Sequence, residues 1–142
     1  MLLCKAAAIW LVILLCAVLN GGFREAFLLS RMERSAAFLS SGLLLSICIV
    51  AVSFVSIRRF GLLGKAQALA IGTFWLCLTL AFEFGFGYLI QHRTWAQLLQ
   101  AYTFKNGNIW PIVLVVTFFA PLIATRLRGR GYAMRLKRGR RL

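Results

Sequence analysis

The sequence predicts an all-α polytopic membrane protein. Its expected architecture is a four-helix transmembrane bundle with a short interfacial helix between the third and fourth spans. Three observations point there. Of the 142 residues, 61% are hydrophobic and only 14% charged, against roughly half apolar and a quarter charged in soluble domains. The apolar residues fall into four long runs, more than one soluble core of this size absorbs. The positive charge is unevenly shared between the two sides that four spans would create.

The first expected span is 6–23, an uncharged stretch near the lower length limit for crossing a bilayer. Lys5 followed by a short apolar core also fits a signal peptide. However, Leu19-Asn20-Gly21 offers no clean small-x-small cleavage site. Leu15 is too bulky before Cys16 for a lipoprotein processing site, so a retained helix is expected. Asn20, Gly21 and Gly22 are expected to end this helix and redirect the chain. A mixed-charge, amphipathic linker, 24–35, follows (REAFLLSRMERS).

The second span, 36–57, has no charge and stops at Arg58-Arg59. Ser40, Ser41, Ser46, Ser53 and Ser56 punctuate it and allow close helix approach. A tight basic turn over 58–65 (RRFGLLGK) leads to the third span, 66–90, which carries a single charge, Glu83. The fourth span is 109–125. Pro111 suits its first turn, while Pro121 is expected to kink it or mark its fraying end. Between these spans, Thr94 and Gln97 form a capping-box pattern. Trp95, Leu98, Leu99 and Tyr102 then share one helical face. Asn106-Gly107 is expected to stop this interfacial helix in a left-handed turn. One domain, 1–125, is therefore expected, followed by a basic cytoplasmic tail, 126–142.

The net charge is +14. Lys5, the 58–65 turn and the tail hold twelve basic residues, against five on the opposite side: Arg24, Arg31, Arg34, Arg93 and Lys105. Lys/Arg excess marks the cytoplasmic side, so both termini are expected there. Tyr88, Trp95, Tyr102 and Trp110 cluster at the other side as an aromatic belt. The tail directly follows a span, which favours anionic lipid headgroups over nucleic acid as its partner.

Few residues can carry chemistry. There are three glutamates, no aspartate and one histidine, His92. That leaves no Ser-His-Asp set, and no GxSxG, HExxH, P-loop or dinucleotide-binding pattern occurs. Cys4, Cys16, Cys48 and Cys77 have no metal or redox spacing. No enzyme and no cofactor are expected.

Glu83 stands out. It lies roughly 12 Å inside the outer boundary of its span, where an acid costs about 3 kcal/mol or somewhat less. Thr79 and Gly87 share its helical face. Arg24, just past the first span, is the expected partner, reaching inward from the same side. Asn20 and Glu25 complete the candidate polar site. Two functional classes follow. The first is a non-catalytic accessory, assembly or interaction subunit, with Glu83 in a structural tie. The second is a small oligomeric transporter or channel, with Glu83 as a proton or cation site.

The segments NGGFREAF, LTLAFEFGFGYLI, TWAQLLQAY and NGNIWPIVL resemble a family of small four-helix bacterial inner-membrane proteins. The resemblance covers most of residues 20–125. It implies the four-helix architecture and no activity, and the Arg-rich tail is not part of it.

Overall fold

The computed structural model describes residues 2–60 and 63–139, with side chains described as far as 129. Gly61 and Leu62 of the expected basic turn and residues 140–142 of the tail lie outside the described residues. The long helices are α1 (Leu2–Arg31), α2 (Arg34–Phe60), α3 (Lys65–Ile90) and α5 (Trp110–Gly139), with the short α4 (Trp95–Gln100) in between. Four helices are long and apolar enough to cross a membrane: α1, α2, α3 and α5 over Trp110–Gly129.

The helices close into a ring. α5 packs on both α2 and α3, and α1 packs on α2 and more lightly on α3. The buried face of α2 is a strict i, i+4 row: Ala37, Ser41, Leu45, Ile49, Ser53 and Ile57. Such a row is a ridge that fits the groove of a neighbouring helix, and small members let the backbones approach. Ile71 and Trp75 of α3 and Val113 of α5 meet it in the core, with Ala6, Ile9 and Ile13 of α1. The outward faces carry Ile47 (66% exposed), Val55 (69%) and Leu89 (67%). Water would penalise that surface, whereas acyl chains suit it.

Three sequence expectations need correction. Asn20, Gly21 and Gly22 do not end α1, which continues through a wide π-helical turn at Arg24–Leu28 to Arg31. The glycines cost only about 1 kcal/mol each against alanine, and continuing the helix keeps their backbone groups paired. The expected 24–35 linker thus shrinks to the bend at Met32-Glu33. Pro121 does not end α5. It sits inside a helix that runs to Gly139, so the expected boundary at 125 is crossed without a break.

The third correction concerns the outer segment. α4 forms with the expected capping box: Thr94 Oγ1 accepts from Gln97 N at 3.4 Å, and Gln97 Oε1 accepts from Thr94 N at 2.9 Å. It ends at Gln100, however, and the left-handed Asn106 and Gly107 belong to a separate turn. Gly107, at φ +74°, lies against the carbonyl of Ser35 at the start of α2. A side chain there meets both a disfavoured backbone region and a fixed backbone neighbour. Gly107→Ala is expected to cost at least about 1–2 kcal/mol, read as a lower melting temperature in detergent.

Candidate functional site

The outer segment 91–109 is fastened to the bundle at three close contacts. Leu98 of α4 presses on Gly87 of α3, Ile109 presses on Gly42 of α2, and Gly107 meets Ser35. Glu83 lies beneath this cover, half-buried on α3. Tyr102 donates its hydroxyl to Glu83 Oε2 at 2.7 Å, and Trp110 donates its indole N–H to the same oxygen at 2.7 Å. One carboxylate oxygen therefore joins α3, the outer segment and the first residue of α5. Phe84, the next residue of α3, stacks on Tyr102 at 6.0 Å and on Trp95 at 5.9 Å between ring centroids.

The expected Arg24–Glu83 pair does not form. Arg24 pairs with its neighbour Glu25 at 3.1 Å and lies over the Phe38 ring, 4.4 Å from the centroid. The reason is local. The π-helical turn starts at Arg24, where α2 is the adjacent helix, and a carboxylate one residue away spares a long reach into apolar surroundings. Glu25 itself is 62% exposed and takes no part in the Glu83 cluster.

Asn20 also works elsewhere. Its Nδ2 donates to the carbonyl of Ser41 at 3.1 Å and to Ser41 Oγ at 2.8 Å, tying α1 to α2. Its Oδ1 is buried without a partner. Thr79 lies one turn from Glu83 as expected, but its hydroxyl accepts from Trp10 Nε1 at 3.0 Å and donates to the Trp75 carbonyl at 2.8 Å. Deeper still, Trp75 donates to the Ala6 carbonyl at 2.9 Å. The five expected site residues thus separate into four polar ties. Only Glu83 belongs to the one under the outer segment.

Tyr102 and Trp110 are the partners that sequence reasoning missed. Both were visible, as members of the aromatic belt. The usable signal was that a buried carboxylate needs donors, and that Tyr and Trp are amphipathic residues whose polar ends seek acceptors. Burial, and then its hydrogen bond to Glu83, push the Tyr102 phenol above its ordinary value. A raised native value means that the neutral, donating form is favoured by folding. Its contribution is full below the ordinary phenol pKa of about 10 and is lost as the pH rises through the higher native value. An ultraviolet titration at 295 nm is expected to show Tyr102 ionising after exposed tyrosines, with Tyr102→Phe removing that late component.

Among the described residues, no three His, Cys, Asp or Glu side chains gather as a metal site, and the four cysteines are free thiols. The arrangement holds a carboxylate by two uncharged donors. No protein-family model, curated protein or solved structure matches this chain.

Proposed function

We propose that this chain is a non-catalytic, multi-pass protein of the bacterial inner membrane, serving as an accessory, assembly or interaction subunit. The observation that carries the reading is the use made of Glu83. The one acid within the apolar spans is held by Tyr102 and Trp110 of its own chain. Ionisable groups at such depth are usually kept for transport or for structure, and a carboxylate clasped by two internal donors fits structure. Both termini are assigned to the cytoplasm on the twelve-to-five distribution of basic residues. The tail then meets anionic headgroups of the inner leaflet.

The alternative is an oligomeric transporter or channel with Glu83 as its proton or cation site. It draws on one feature: both donors fall on Oε2, which leaves Oε1 for a third partner. Proteoliposomes decide between the two. Purified protein is expected to give no proton or cation flux above empty vesicles, as read by a pH-sensitive dye and a potential-sensitive dye. Flux that is lost in a folded Glu83→Gln variant would replace the accessory reading with the transport one.

A further inference from the structure

A second cluster lies at the corner joining α1 to α2, away from Glu83. Arg24 and Arg34, from different helices, both lie over Phe38, at 4.4 and 5.7 Å from the ring centroid. Arg31 lies 4.1 Å from the centroid of Phe27, which in turn stacks on Phe23 at 5.2 Å. A guanidinium held face-on by a ring keeps its N–H edge for an acceptor in its plane. Arg24 uses Nε and one terminal nitrogen on Glu25 Oε1. Among the described residues, neither Arg31 nor Arg34 enters an ion pair. Glu33, the other acid of the corner, is exposed and makes no side-chain cap on α2.

The depth of the cluster matters. The arginines follow directly on the apolar run of α1 and precede that of α2. Below them the outward wall of both helices is apolar, with Phe23, Leu19, Leu39 and Leu43 exposed. An acceptor that is anionic at one end and apolar along the rest fits both parts. We propose that this corner binds an anionic phospholipid: the phosphate takes the edge of Arg34 and the terminal nitrogen of Arg24 that Glu25 leaves unused, and the acyl chains run down the α1–α2 wall. A free phosphate would satisfy the arginines and leave the wall unused. The site is on the opposite side from the basic tail, and it depends on planar guanidinium edges rather than on charge alone.

The inference rests on the membrane placement proposed above and is independent of the accessory role. The test uses the full chain in phosphatidylcholine nanodiscs doped with phosphatidylglycerol, with retained lipid counted by native mass spectrometry. Wild type is expected to hold one more phosphatidylglycerol than Arg24→Lys/Arg34→Lys, with roughly tenfold weaker retention in the variant. Lysine keeps charge and stem, so tail-bound lipid is common to both. Should the lysine variant fail to fold, Phe38→Leu removes the ring that aligns both arginines and is expected to give the same loss. Equal retention in a folded variant would overturn the site, as would displacement of the lipid by inorganic phosphate at matched ionic strength. A chain that does not enter nanodiscs overturns the membrane placement and the site together. One that enters and shows no difference overturns the site alone.

Discussion

Gly72→Leu is expected to separate α3 from α5 and to lower stability by at least about 3 kcal/mol. A Cβ at this position would overlap the backbone carbonyl oxygen of Phe118. A clashing side chain could rotate away, but a carbonyl in the middle of α5 moves only with its helix. The contact sits in the core, with Ile71 and Trp75 beside it at 1% exposure each. The glycine hydrogen pointing at that oxygen is the weak Cα–H···O arrangement that recurs at close helix crossings. Even Gly72→Ala is expected to cost about 1–3 kcal/mol. Gly85→Ala on the same helix should be nearly neutral, because nothing lies within 4 Å of its added Cβ. Thermal melting of purified protein in detergent, alongside membrane abundance, checks the series. Equal melting temperatures for Gly72→Leu and wild type would show that α3 and α5 do not cross here.

The contrast between these two glycines marks where sequence reasoning reaches and where it stops. Length and apolar runs locate the four candidate spans, because a helix that crosses a bilayer needs about twenty such residues whatever its neighbours are. The Thr94–Gln97 box was legible because both partners lie three residues apart. Gly72 and Gly85 look alike in the sequence, since what distinguishes them is the neighbouring helix. The end of α1 lies beyond its expected place for a related reason, and of the two expectations for Pro121, a kink or a fraying end, the second fails because α5 runs on. Asn20-Gly21-Gly22 and Pro121 are breakers in water, where solvent pairs the released backbone groups. A helix in apolar surroundings has no such alternative. The buried row of α2 was half legible: its serines were noted, but only packing shows that Ser41 and Ser53 face inward while Ser40 does not.

Charge complementarity was the least reliable guide, and Glu83 supplies the test. Glu83→Ala is expected to cost about 2–4 kcal/mol, because it removes two hydrogen bonds and leaves the Tyr102 hydroxyl and Trp110 indole without their acceptor. Glu83→Gln keeps a carbonyl oxygen and should cost less than half as much. The loss should be felt mainly in the segment the carboxylate holds down. Amide exchange is expected to rise across 91–109 and to stay unchanged around Ala6, to which Trp75 bonds. A double-mutant cycle then separates the two candidate partners. Glu83→Ala with Tyr102→Phe should show a coupling of about 1 kcal/mol or more. Glu83→Ala with Arg24→Gln should show none. Arg24→Gln alone is expected to lose about 0.5–1 kcal/mol, the worth of its stacking on Phe38. Strong coupling between Glu83 and Arg24, with none to Tyr102, would restore the ion pair and dismantle the aromatic tie.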